Sequence, residues 1–247
     1  MKKNIFLFFA LALCSSFSFV FSKQEVVVLY SGGLDSSAVV GYYAIKGYDT
    51  IHLLTFDNGA QKNLSLCNVK IDEFRSTFPK THFIHSIKNS SYLFKKVALV
   101  DIESDFVKYK TNLICVGCKM AMHAMAIIYA LENKIGMVAD GYAKRQDDFP
   151  EQDISAIQEM KAIYSKFNIR YESPLYDVLK SKDATKDLLA KYGLSTKSIE
   201  GECLFGGTFS KGDSQSIAAY AKAKASIIVD FIKDYFSERG LTFFYKN

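Results

Sequence analysis

The feature that most constrains this chain is the passage from Val26-Val27-Val28-Leu29-Tyr30 into Ser31-Gly32-Gly33-Leu34-Asp35-Ser36-Ser37. An apolar run of that length predicts a buried strand, and the break into glycine and hydroxyl residues before a helical pattern predicts a strand-turn-helix. Gly32 and Gly33 lack a Cβ, so the backbone there is free to take positive φ and to bring amide N–H groups close to a ligand. The unpaired N–H groups and positive dipole end of the following helix add to this, making a phosphate site. Ser31, Ser36 and Ser37 supply hydroxyl donors. Asp35 would repel a bare pyrophosphate and is read as holding Mg²⁺ against it.

The rest of the chain repeats the alternation. Strands are predicted over 26–30, 50–56, 82–86, 135–139 and 169–173, and helices over 36–46, 65–76, 119–134, 154–166, 182–191 and 214–239. Strands separated by helical crossovers imply an α/β fold, a doubly wound parallel sheet of Rossmann-like type closed by a C-terminal helix. Ligands of such sheets lie beyond the carboxyl ends of the strands, so the segments after Tyr30, Phe56 and Ala139 should converge. The composition, 49% hydrophobic and 23% charged in 247 residues, suits a globular enzyme with a full core. A net charge of +5, two units of it from Lys2 and Lys3, is too small to imply a polyanionic partner by itself.

Residues 1–22 stand apart: Lys2-Lys3, an apolar run from Ile5 to Leu13, then Ser/Phe alternation to Ser22. They read as a signal peptide or an anchor, leaving 23–247 as one domain. Export or membrane anchoring sits awkwardly with a site for magnesium and pyrophosphate, which suggests a cytoplasm-facing or organellar location.

The loop has neither the Gly-Lys-Ser/Thr of a Walker A sequence nor the three spaced glycines of a dinucleotide fold. Ser31-Gly32-Gly33-Leu34-Asp35-Ser36-Ser37 instead resembles the PP-loop of the N-type ATP pyrophosphatases, which cleave ATP between its α- and β-phosphates and adenylate an acceptor oxygen. The resemblance implies ATP and Mg²⁺ as ligands, Ser31, Gly32, Gly33, Asp35, Ser36 and Ser37 as the phosphate site, and Phe56 beside the adenine. Ala139-Asp140-Gly141-Tyr142-Ala143 resembles a nucleotide-contacting segment of the tRNA thiouridylases. There Gly141 would let the nucleotide approach the backbone, with Lys144 and Arg145 following to neutralise phosphate.

Three cysteines sharpen the reading. Cys115-Val116-Gly117-Cys118 and the distant Cys203 are too few for a tetrahedral zinc site, but three thiolates can hold three irons of a 4Fe-4S cluster. This order resembles the tRNA 2-thiocytidine and 2-thiouridine synthetases that use a three-cysteine cluster, which implies tRNA as acceptor and a sulfur donor as partner. It also resembles the cluster-independent thiouridylases, in which one cysteine carries a persulfide and another resolves it. This version implies Cys118 as the first and Cys203 as the second catalytic thiol, beside Asp35. Lys119 and a helix N-terminus following Cys118 would lower that thiol's pKa. The segments 55–61 and 202–207 also resemble 7-cyano-7-deazaguanine synthase, which acts on a small-molecule acceptor and replaces sulfur by ammonia. No cysteine follows Cys203, where that synthase carries a cysteine-rich zinc site. A non-catalytic ATP-binding module is the reading from a different class. Asp147, Asp148 and Glu151 read as a solvated acidic loop, and His82 and His85 as structural. Ile227, Ile228, Phe231, Ile232 and Tyr235 form a stripe that is core or a homodimer face.

Overall fold

The computed structural model describes residues 23–206, 208, 211–243 and 245. The signal or anchor segment expected over 1–22 lies outside these residues.

The first strand, β1 (Glu25–Leu29), leads into α1 (Leu34–Ile45) and returns as β2 (Thr50–Asp57). A two-residue strand, β3 (Gln61–Lys62), and a 3₁₀ turn over Leu64–Asn68 precede α2 (Val69–Thr77) and β4 (His82–Asn89). Next come α3 (Ser91–Phe94), a π turn over Lys95–Leu99, α4 (Ile102–Tyr109) and the long α5 (Ile114–Glu132). The remainder is β5 (Met137–Ala139), α6 (Ile154–Lys166), β6 (Arg170–Glu172), α7 (Lys182–Lys191), β7 (Glu202–Cys203) and α8 (Ser214–Ser237).

Five strands form one parallel sheet in the order β4-β2-β1-β5-β6. The chain winds outward from β1 to β2 and β4, then restarts on the other side with β5 and β6. The reversal falls between β1 and β5, and crevices at such switch points take the ligand in doubly wound sheets. The α/β class and the parallel sheet expected from the sequence are therefore what the chain adopts.

Strand alternation divides the core into two layers. Val27 and Leu29 face a layer built with Leu54, Phe56 and helices α5, α6 and α8. Val26, Val28 and Tyr30 face the opposite layer, with Ile51, Leu53, α1, α2 and α7. Helix α5 is long and apolar enough to cross a bilayer by length and composition, yet most of it is buried in the first layer. The stripe on α8 is chiefly core, with Ile228 and Ile232 wholly buried and Ile227, Phe231 and Tyr235 packed at its margin. Lys224 fastens α8 to α4 through Asp101 at 3.1 Å and Asp105 at 2.7 Å.

Two helix starts differ by four residues or more from the sequence expectation, the other boundaries by three or fewer. Residues 65–68 are 3₁₀ rather than α, so α2 starts at Val69. Helix α5 begins at Ile114 rather than 119, because Asn112 accepts the Ile114 N–H at 3.1 Å and starts the helix before the cysteine pair. The helices over 91–109 carried no clear period in the sequence, being short and broken by a π turn.

Of the two glycines in the first loop, only Gly32 has positive φ, +84°, and a Cβ there would lie 2.0 Å from the Ile199 carbonyl. Gly33 has φ −71° and serves as the residue before α1. Gly32→Ala should therefore cost more than about 2 kcal/mol in urea unfolding. Gly47→Ala, at φ +81° with open space around it, should cost only about 1 kcal/mol. Equal losses would show that the close approach to Ile199 is unimportant.

Candidate active site

A cavity of about 510 Å³ opens at the carboxyl ends of the strands. Its floor is the glycine-rich loop. Helices α6, α7 and α8 start with a side-chain cap, from Asp153, Ser181 and Asp213 respectively, but α1 starts at Gly33 with none. Gly33, Leu34, Asp35 and Ser36 line the cavity, and the first-turn N–H groups have no side-chain cap, as anion binding requires. The hydroxyls brace the turn: Ser37 Oγ donates to Gly33 O at 2.7 Å, and Ser31 N donates to Ser36 Oγ at 3.3 Å. A second cavity of about 540 Å³, lined by Ile102, Phe106, Val107 and Leu113 among others, includes no strand-end residue.

The segment after β5 closes one wall. A Cβ on Gly141 would stand 2.6 Å from Ser36 N and 2.8 Å from Ser36 Cα. Gly141 is needed because the loop packs on the backbone of α1, a reason distinct from the expected one of admitting a nucleotide. Arg145, four residues on, donates from Nη2 to Asp35 Oδ1 at 2.6 Å and Oδ2 at 2.7 Å, and Thr185 Oγ1 donates to Oδ1 at 3.0 Å. Asp35, read as a magnesium ligand, has both carboxylate oxygens on an arginine here. Arg145 Nε is buried without a hydrogen-bond partner, and Lys182 lines the same wall.

The opposite end carries the thiols. Cys115 and Cys118, three apart on α5, share a face. Cys203 reaches them because β7 pairs antiparallel with β3, Gln61 opposite Cys203. All three line the cavity with Phe56, Asn58, Lys119, Tyr142 and Glu151. Two-residue strands leave no sequence signal, so this pairing was not foreseen. Nor was Asn58, which the sequence offers only as part of an Asp-Asn-Gly turn. Its Nδ2 donates to Cys118 Sγ at 3.2 Å while its Oδ1 accepts the Ala60 N–H at 2.9 Å. Phe56 is buried on β2, with its ring against the cavity.

The thiols are not the low-pKa groups anticipated. Burial pushes Cys115 up to about 12, with Glu151 raising it further. Burial also pushes Cys118 up to about 11, against the lowering effects of Asn58 and Lys119. Cys118 is the fifth residue of α5, not a residue before it, so the helix terminus does not act on it as expected. Among the described residues no three His, Cys, Asp or Glu side chains are grouped to hold a metal ion. The thiols share a cavity without forming such a grouping, so the arrangement does not fit the cluster that the cysteine order suggested.

Behind the wall, Asp140 accepts from Tyr171 Oη and from Tyr142 N at 3.1 Å. His123, wholly buried, meets Tyr164 Oη at 2.9 Å, and burial holds its pKa down near 3. His85 is structural, 2.9 Å from Thr55 Oγ1, and His82 is exposed. The acidic cluster divides: Asp147 and Asp148 are solvated, but Glu151 is buried.

Burial pushes the Asp140 carboxyl up to about 6, against its hydrogen bonds. An acid held above its unfolded value binds its proton more tightly when folded. Its contribution to stability is therefore complete at low pH and is lost as pH rises from about 4 through about 6. Asp140→Asn should gain stability relative to the parent across that window, as compared by urea unfolding at its two ends. A constant difference between the two proteins would contradict the assignment.

A family model described as "QueC: Queuosine biosynthesis protein QueC" matches residues 25–203. The chain is 24% identical over 233 residues to the tRNA-specific 2-thiouridylase MnmA of Ruegeria pomeroyi, covering 89% of this chain and 59% of that protein. To the same-named protein of Rickettsia bellii it is 25% identical over 233 residues, covering 88% and 60%. The chain thus spans less than two thirds of the length of these relatives. Among solved structures, the U34-tRNA thiolase NcsA from Methanococcus maripaludis with its 4Fe-4S cluster is similar at TM-score 0.47 and 14% identity, over 87% of this chain and 73% of that one. A predicted subunit of tRNA methyltransferase from Methanocaldococcus jannaschii gives TM-score 0.40 at 20% identity, over 73% and 96%.

Proposed function

The chain belongs to the QueC family of PP-loop ATP pyrophosphatases, and from that premise we propose that it adenylates an acceptor carbonyl with ATP and then replaces the activated oxygen by sulfur. The observation that carries the sulfur step is the convergence of Cys115, Cys118 and Cys203, from α5 and from β7, on the cavity floored by the glycine-rich loop.

In this reading the first-turn N–H groups of α1 and the hydroxyls of Ser31 and Ser36 grip the phosphates, while Ser37, expected among the phosphate ligands, is buried off the cavity wall and braces the turn through Gly33. Arg145 and Lys182 add positive charge, and Phe56 packs beside the base. Asp35 is the residue that would hold Mg²⁺, which would supply charge to the leaving pyrophosphate; in the structure both Asp35 carboxylate oxygens accept from Arg145. The acceptor oxygen attacks the α-phosphate and pyrophosphate leaves. Positioning and fixed donors supply most of the rate, since a phosphoryl-type transfer asks for little covalent help. A persulfide on one thiol, loaded by a sulfur donor, attacks the activated carbon and AMP departs with the oxygen. The second thiol then attacks the remaining sulfur–sulfur bond, releasing the thiolated product and leaving a cysteine disulfide that an external thiol reduces, whereas free sulfide attacks the same carbon directly. Lys119, beside Cys118, stabilises the thiolate that burial opposes.

The names of the curated relatives support a tRNA uridine as acceptor. The family description supports a second reading, in which ammonia takes the place of sulfur on a small molecule. Mass spectrometry of nucleosides after incubation with Mg-ATP, sulfide and unfractionated tRNA separates the two. The sulfur reading expects AMP, pyrophosphate and a thiolated nucleoside, with thiolation cut more than about 100-fold by Cys118→Ser or Cys203→Ser while ATP binding persists. Full product formation by both serine variants, or product only with ammonium, would overturn it.

A further inference from the structure

Resting on that reading, we propose that Glu200 decides which form of the nucleotide is admitted: its carboxylate lies on the phosphate loop and excludes metal-free ATP in favour of the magnesium complex. Glu200 belongs to the strap that crosses the turn between β1 and α1 on its way to β7. Ile199 N donates to Gly32 O at 3.2 Å, and the next residue brings Glu200 Oε2 within 3.4 Å of Ser31 Oγ, which donates to it. A Cβ on Gly33 would stand 2.5 Å from the same carboxylate oxygen. Gly33 has φ −71°, a conformation open to any residue, so the space above it is what the carboxylate uses.

The strap is fixed on both sides of Glu200. Ser195 gives its N–H and, at 3.0 Å, its hydroxyl to the Glu73 carboxylate, while Lys70 Nζ donates to Ser195 O at 3.3 Å. Beyond Glu200, Gly201 packs so closely that a Cβ there would lie 2.5 Å from Lys62 O, and β7 then pairs with β3. Glu200 itself is exposed and lines the cavity with Ser31, Gly33, Asp35 and Lys182, at the phosphate end.

Its charge is not cancelled there. Both Asp35 oxygens accept from Arg145, whereas among the described residues the Glu200 carboxylate meets only hydroxyls, from Ser31 and, at 3.3 Å, from Ser198. A phosphate arriving at Ser31 therefore competes for a hydroxyl already given to a carboxylate, and does so against an uncompensated negative charge. Metal-free triphosphate meets that repulsion with its full charge. Magnesium cancels part of the polyphosphate charge, so the complex meets less of it. The exclusion serves the chemistry, because nucleotide bound without its metal would lack the positive charge that the leaving pyrophosphate needs. Glu200 acts on admission of the nucleotide and not on the reacting atoms.

The test is calorimetry of ATP binding to the full chain, in excess magnesium and again in EDTA, for the parent, Glu200→Gln and Glu200→Ala. The parent should bind the magnesium complex at least about 10-fold more tightly than metal-free ATP. Either substitution should raise affinity for metal-free ATP at least about fivefold and change that for Mg-ATP less than about twofold, so that the preference narrows. Because the effect is charge repulsion in a solvated cavity, the gain should shrink as salt rises from about 50 to about 500 mM. An unchanged preference in both variants, or a gain indifferent to salt, would overturn the inference. So would a loss of Mg-ATP affinity with Glu200→Gln, which would make Glu200 a metal ligand, or a gain with Glu200→Ala alone, which would make the obstruction steric. Absence of ATP binding by the parent under both conditions would instead defeat the reading on which it rests.

Discussion

The structure depends on one close approach, the seating of Gly141 against the backbone of Ser36. At the switch point between β1 and β5, Gly141 packs so closely on α1 that a Cβ there would lie 2.6 Å from Ser36 N, so only a side-chain-free residue fits. With Gly141 seated, the loop after β5 becomes a wall of the cavity, Arg145 comes within reach of Asp35, and the turn carrying Glu151 is fixed behind it. The glycine-rich loop supplies the floor but not the enclosure. Enclosure is what turns a helix terminus with open N–H groups into a site where charge is felt at low dielectric.

The two ends of the cavity carry different physics. At the phosphate end, polar groups are plentiful and mutually engaged: Asp35 with Arg145 and Thr185, Ser31 with Ser36. Arriving phosphate would exchange one set of ionic contacts for another. At the thiol end, burial dominates, pushing Cys115 and Cys118 upward and leaving one carboxylate oxygen unpaired. Nucleophilic sulfur there depends on what Lys119 and Asn58 supply locally, not on a helix dipole.

Much of the scaffold was legible in the sequence. β-Branched runs such as Val26-Val27-Val28 and the 3.6-residue spacing of α6 and α8 each pointed to one structure, and the parallel order followed from their alternation. The glycine-rich turn between β1 and α1 was legible because glycine and serine there follow a buried strand and precede a helical pattern. The thiol end was less so. The cysteine pair could be seen, but its position inside α5 hinged on Asn112 starting the helix early. Cys203 arrives through a two-residue strand too short to leave a period. The burial of Glu151, set apart from the solvated Asp147 and Asp148, depends on Gln152 reaching back to Ala143, a long-range contact that composition does not reveal.

The central claim is that the triphosphate of ATP is held at the uncapped start of α1. The most direct measurement is a crystal structure with magnesium and an ATP analogue that cannot be cleaved between its α- and β-phosphates. The account predicts phosphate oxygens on the N–H groups of the first turn of α1, with the α-phosphate turned toward the cysteine end of the cavity. Phosphates bound elsewhere, or with the α-phosphate facing away from Cys115, Cys118 and Cys203, would contradict it.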